Sequence, residues 1–285
     1  MKRKLYLAVL YVIISAFSAE AQTAKSLFWR SDSLQVSEIV SETGNQYKKV
    51  GHHGPAVENS HMALRIYFND SGAIDVYSKS GRGLELMRYL WYPTPEQQSE
   101  ESAGCDEYRV GKTVGFGGIA LWDGEKEVKL VATKGRTARV GDTRNGSFAE
   151  MIAYGVEYMG SLVDVCIRID VTSKSRFAKI TASELSGRKV RFLTGVNWHE
   201  GQNVSYDDKH ICVWGIHPAD VSANPIPLGA GMLYSDKTFP VIEKTDDMVR
   251  IISKPADEVS TMVIAASTKE AELNNLKRFD AFMKK

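Results

Sequence analysis

From Met62 onward the chain alternates apolar and polar residues with a period of two. Met62, Leu64, Ile66 and Phe68 fall on one side of a strand, with Arg65 and Tyr67 on the other, which is the pattern of a half-buried strand. Asn69-Asp70-Ser71-Gly72 supplies turn chemistry before Ala73 to Ser78, so the segment reads as a hairpin. A second hairpin follows: Phe148 to Met159, a turn at Gly160-Ser161, then Leu162 to Val171 with the alternation V-D-V-C-I-R-I-D-V. Arg176 to Leu185, Val190 to Trp198, Ile211 to Ile216, Gly229 to Tyr234, Met248 to Ser253 and Thr261 to Ala266 continue it. About a dozen short strands separated by turns predict an all-β fold, a large antiparallel sandwich or barrel rather than βαβ units.

The period changes at the C-terminal end. Ser267 with Glu270 three residues on makes a capping box. Leu276, Phe279 and Met283 then recur at i, i+3 and i+7, a stripe that predicts a C-terminal helix lying on a sheet. Lys284 and Lys285 suit the negative end of such a helix. Gly81 to Tyr92 is a candidate for a short second helix.

At the other end, Lys2, Arg3 and Lys4 precede an apolar stretch from Leu5 to Phe17, and Ala19-Glu20-Ala21 puts small residues where signal peptidase needs them. This predicts a signal peptide over residues 1–21, cut before Gln22, and a periplasmic or secreted protein. About 13 apolar residues are too few to span a bilayer, so no membrane association is expected after cleavage. Residues 22–285 show no linker composition and no repeat, and read as one domain. Lys and Arg number 36 against 35 Asp and Glu, spread along the chain, so nothing marks a nucleic-acid-binding face. The three cysteines, Cys105, Cys166 and Cys212, are an odd number for an exported chain, and all are read as structural thiols without a disulfide.

Candidate chemistry concentrates between Gly51 and Lys79, which holds His52, His53, Glu58, Asn59, His61, Arg65, Asp75, Tyr77 and Lys79. His and Glu are natural acid/base groups, and Arg clamps a carboxylate with two bonds. His52-His53 beside Gly54-Pro55 marks a turn holding the imidazoles off the sheet. Gly111 to Gly118, G-K-T-V-G-F-G-G, lacks the first glycine of a phosphate loop because position 106 is Asp. It reads as a loop with special backbone angles, with Lys112 a candidate for an anionic sugar. Trp198-His199-Glu200 opens a polar loop that, with His210 and His217, can form one rim of a cleft. Trp91, Tyr92, Trp122, Trp198 and Trp214, near loop or strand ends, are candidates for sugar stacking as well as for the core. No metal-ligand spacing is present, and no cofactor is expected. The absence of a Gly-x-Ser-x-Gly elbow argues against a serine hydrolase of the α/β kind.

The run G-P-A-V-E-N-S-H-M-A-L-R-I-Y at 54–67, then I-D-V-Y-S-K at 74–79 and G-K-T-V-G-F-G-G-I-A-L-W-D at 111–123, resembles the secreted domain-of-unknown-function family DUF4861. The resemblance implies an architecture similar to the galactose-mutarotase supersandwich. It also implies a carbohydrate role, since members are generally encoded beside bacterial polysaccharide-degradation enzymes, including unsaturated glucuronyl hydrolases. Sandwiches of that kind host epimerases, polysaccharide lyases and some hydrolases, so the fold does not name a reaction. The resulting expectation is proton-transfer chemistry on uronate-containing oligosaccharides, by a lyase or an epimerase. In it Arg65 and Lys112 neutralise the sugar carboxylate, His53 or Tyr77 moves the proton, Glu58 orients, and Asp75, His199 and Glu200 contact substrate. Two alternatives stand beside it: a glycoside hydrolase pairing Glu58 with Asp75 or Glu200, and a non-catalytic glycan-binding module. The expectation has a geometric core, that His53, Glu58, Arg65, Asp75 or Tyr77, and Lys112 share one concave face.

Overall fold

The computed structural model describes residues 22–90, 94–100, 102–219 and 225–285; the expected signal peptide, Trp91 and Tyr92 lie outside them. Three sheets form, and every pairing between neighbouring strands is antiparallel. A small sheet has the order β1 (Ala24–Ser26), β3 (Ala56–Glu58), β4 (Met62–Ile66), β5 (Ile74–Ser78). The large sheet runs from β13 (Asn203–Tyr206) through β14 (His210–Gly215), β15 (Leu228–Leu233), β18 (Glu258–Ser267) and β11 (Ala178–Glu184) to β10 (Ser161–Thr172). It continues with β9 (Gly146–Tyr158), β8 (Arg136–Thr143) and β2 (Glu38–Ser41). The third sheet has the order β16 (Val241–Lys244), β17 (Met248–Ile252), β12 (Phe192–Asn197), β6 (Ala120–Trp122), β7 (Glu127–Val128).

The small sheet packs over β9, β10 and β18, and β12 packs over β14 and β15, so two sheets lie side by side against the large one. The alternation explains this. Val57, Leu64, Ile66 and Val76 face inward to meet Met151, Ile167 and Ile180, and Phe192, Val196 and Val249 join the same apolar cluster. The fold is therefore an all-β sandwich around one continuous core.

The glycine-rich stretch fills the seam between the two smaller sheets. Phe116 N–H donates to Ile74 O (2.8 Å) and Gly117 N–H to Gly195 O (2.9 Å). Gly115 sits at φ +72, and a Cβ there would lie 2.3 Å from Ile74 O, so no other residue fits. The glycines serve close backbone approach, and Lys112 among them is exposed.

The C-terminal helix is present as α2 (Leu276–Met283), but its cap differs from the expectation. Asn275 caps it, accepting from Arg278 N–H (3.1 Å). Ser267 is the last residue of β18 and pairs with Leu228, because sheet hydrogen bonds compete successfully with a local cap. Phe279 and Met283 pack against Cys212, Trp214 and Ile264 on the outer face of the large sheet, so β14 is covered on both sides. Residues 81–90 form turns rather than the short helix expected at Gly81 to Tyr92. A five-residue helix, α1 (Pro95–Ser99), stands beyond them, capped by Thr94 with Gln97. All three cysteines are buried free thiols.

Candidate functional site

The outward face of the small sheet is polar yet buried. Glu58 and Lys79 are 0% and 1% exposed, Arg65 6%, Asp75 2% and Tyr77 7%. A strap formed by residues 80–90, 94–100 and 102–106 covers them, returning to the sheet where Ser78 and Cys105 exchange backbone hydrogen bonds (2.8 and 3.0 Å). Leu86, Tyr89 and Ala103 of the strap pack on Ala56, Ala63 and Tyr77. Two groups of charges are sealed beneath it.

In the first, Arg65 and Asp75 face each other across β4 and β5, as the hairpin predicts. Arg65 Nε and Nη2 donate to Asp75 Oδ2 (3.1 and 2.7 Å), and Nη2 also to Asp106 Oδ1 and Oδ2 (2.8 and 2.7 Å). The Tyr67 hydroxyl donates to Asp75 Oδ2 (2.6 Å). Burial raises the Asp106 carboxyl to about 7, with Arg65 opposing the shift and Asp75 adding to it. One cation is thus shared by two buried carboxylates, one of which keeps a proton until near neutrality. In the second group, Lys79 Nζ donates to Glu58 Oε1 (2.5 Å) and Asn59 O (3.0 Å). Glu58 also accepts backbone N–H groups of the strap, Glu85 at Oε1 (2.7 Å) and Leu86 at Oε2 (2.9 Å). Glu58 therefore fastens the strap; its oxygens are turned to the backbone and to Lys79.

A small pocket opens between sheet and strap, lined by His52, Arg65, Tyr77, Glu85, Leu86 and Tyr89 among others. The centre of a water molecule can range over about 30 Å³ of it, room for about two waters. On its wall the Tyr77 hydroxyl donates to Glu85 Oε2 (2.6 Å), which also accepts Gly104 N–H (3.0 Å). A Cβ on Gly104 would lie 2.1 Å from Ser78 O and 2.6 Å from the Tyr77 ring, so the strap needs glycine there to reach this carboxylate. Burial first, then Glu85, holds the Tyr77 hydroxyl well above its usual range, and it stays protonated.

His52, not His53, faces this pocket. Both sit at positive φ, +51 and +62, at a cost of about 1 kcal/mol or more each. Fixing the turn are His53 N–H to Val50 O (3.1 Å), Gly54 N–H to Gly51 O (3.0 Å) and Phe68 N–H to His53 O (2.8 Å). His53 points away: Nδ1 is 2.8 Å from Tyr47 O, and its ring stacks on Tyr47 at 4.0 Å. Burial lowers its pKa.

Lys112 and Glu200 are exposed, and neither lines the pocket. The Lys112 carbonyl accepts from Lys129 Nζ (3.4 Å), beside the third sheet. His199 and His217 meet edge to face at 4.9 Å. His210 does not join them, since it starts β14 next to Asp207 (2.9 Å) and His217 lies past the other end, some 20 Å of strand away at roughly 3.3 Å per residue. The structure thus brings Glu58, Arg65, Asp75 and Tyr77 to one face; of the expected site residues only Arg65 and Tyr77 line the pocket, and Glu58, Asp75, His53, Lys112, His199 and Glu200 do not. His52, Glu85, Tyr89 and Asp106 complete the face. For Glu85 and Tyr89 the sequence signal was their i, i+4 spacing within a stretch read as helix.

A search of curated proteins found no match to the chain. A family model described as domain of unknown function (DUF4861) matches residues 14–285, which takes in all three sheets, the strap and α2. The chain belongs to that family.

Proposed function

We propose that this protein is an exported carbohydrate-active enzyme that acts on uronate-containing oligosaccharides by proton transfer, as a lyase or an epimerase, with the strap-covered pocket as its reaction site. The observation that carries the reading is the Tyr77 hydroxyl held 2.6 Å from Glu85 in the wall of a pocket that also presents His52. The Tyr77 hydroxyl has a proton to give, and an imidazole nitrogen can accept one. A sugar C–H next to a carboxylate, brought to the pocket rim within reach of both while the carboxylate stays outside, would lose its proton to His52. Tyr77 would then protonate the opposite face or the departing oxygen. Arg65, fixed in its plane by Asp75 and Asp106, forms part of the wall, and Glu58 holds the strap in register.

Family membership supports the carbohydrate class through the polysaccharide-degradation genes that generally accompany such proteins. Mutarotase-like sandwiches, which the family resembles, host both lyases and epimerases. A space for about two waters admits a substituent of a sugar while the ring itself stays at the rim.

The test is incubation with a panel of uronate oligosaccharides, followed by ultraviolet absorbance for a new conjugated double bond, by proton NMR for an inverted centre, and by mass. One of the first two signals is expected without the mass gain of a water. Tyr77→Phe should lower the rate on the order of 10²- to 10⁴-fold, and His53→Gln only a few-fold. A mass gain of water would establish a hydrolase instead, and binding without any turnover a glycan-binding module.

A further inference from the structure

Tyr89 is 6% exposed, it lines the pocket, and among the described residues its hydroxyl oxygen has no hydrogen-bond partner. A buried hydroxyl left unpaired is unfavourable, and this one is not free to turn away. Its backbone N–H donates to Glu85 O (3.0 Å). The Arg88 guanidinium lies over its ring at 4.9 Å and is itself tied to Glu100 (2.6 Å). The ring is held with its polar end unsatisfied beside a space of small-group size.

The charges around that space say which small group fits. Arg65 already meets Asp75 and Asp106, and Asp75 alone matches its charge where Asp106 is protonated, while Lys79 meets Glu58. Glu85, on the wall, adds a negative charge whose Oε2 faces the Tyr77 hydroxyl. The lining therefore offers no surplus of positive charge to draw in an anion, and a carboxylate entering beside Glu85 would be repelled. A neutral hydroxyl meets no such barrier, and it can both give and accept a hydrogen bond, as the phenol of Tyr89 also can.

We infer that the pocket takes a neutral hydroxyl group of the sugar, that Tyr89 hydrogen-bonds it, and that the uronate carboxylate is read outside the pocket. This rests on the carbohydrate reading above, and it moves the carboxylate away from Arg65, where the sequence alone places it. Tyr89 is then a specificity-determining residue that selects for the substituent entering the pocket.

Calorimetric titration tests it with a glucuronate-containing disaccharide and its carboxyl-reduced counterpart, against the native protein, Tyr89→Phe and the exposed control Tyr206→Phe. Tyr89→Phe should weaken both ligands by similar factors, about 5- to 30-fold, while its melting temperature stays level or rises because an unpaired buried oxygen is gone. Tyr206→Phe should change neither ligand. A loss seen only with the acidic disaccharide would show that Tyr89 reads the carboxylate and overturn the inference, as would no loss with either. Failure of the native protein to bind both disaccharides would instead overturn the carbohydrate reading itself.

Discussion

Replacing Lys79 by Met isolates what the Glu58–Lys79 pair does. Methionine matches the length of the aliphatic stem, so the change removes the ammonium without opening a large cavity. Glu58, 0% exposed, is left as a buried carboxylate supported, among the described residues, by the two N–H groups of Glu85 and Leu86. Breaking a buried pair in this way costs about 3–5 kcal/mol. The two remaining donors favour the lower end, about 3 kcal/mol, which is roughly 6–12 °C in melting temperature for a domain of this size. Urea unfolding at neutral pH measures it. The double variant Glu58→Gln/Lys79→Met removes both charges and keeps an amide that can still accept from the strap, so it should recover at least half of the loss. A single variant within about 1 kcal/mol of the native protein would refute the argument. So would a double variant less stable than the single one.

Two further outcomes follow from buried ionisable groups. The Asp106 carboxyl is raised from 3.8 to about 7, so between those values the folded chain holds a proton that the unfolded chain has released. Stability should therefore fall as pH rises through that window. In Asp106→Asn the urea midpoint should change less between pH 5 and pH 7.5; an unchanged slope would count against the assignment. Burial raises the thiols of Cys105 and Cys212 to about 11 and about 12, and that of Cys166 as well. Iodoacetamide at pH 8 should label none of the three until the protein is unfolded, and fast labelling of the native protein would contradict their burial.

The strands were legible because burial on one face imposes a period of two. Met62, Leu64 and Ile66 enter the core and Arg65 does not, as the alternation requires. The same logic placed Arg65 beside Asp75. It did not show that the polar face would be covered, because the cover comes from a strap held by contacts remote in sequence. Nor did it choose between adjacent histidines. Two successive residues at positive φ turn His52 inward and His53 onto Tyr47, and no side-chain pattern encodes that. Ser267 is a local cap signal overridden by its pairing with Leu228. The glycine-rich run drew attention as a ligand loop, whereas its composition answers to the tight seam at Ile74.

The strap over the pocket is stapled from the far end of the chain. Lys269 Nζ donates to the carbonyls of Gln98, Glu100 and Ala103, and Glu272 bonds Arg82 (2.7 Å) as well as Arg176 (2.7 Å). Gln98 and Lys269 are 171 positions apart, so the loop that must close between them is among the longest this chain can form. Closure of a long loop is slow and entropically costly, and local strand pairing precedes it. The pocket is thus a late product of folding: a chain emerging from the ribosome can build β3 to β5, but not the fastened strap, until Lys269 and Glu272 are out. A premature stop near Ser267 would leave most of the sheets encoded and still delete the fastening. Lys269 and Glu272 thereby couple the closing of the pocket to synthesis past β18.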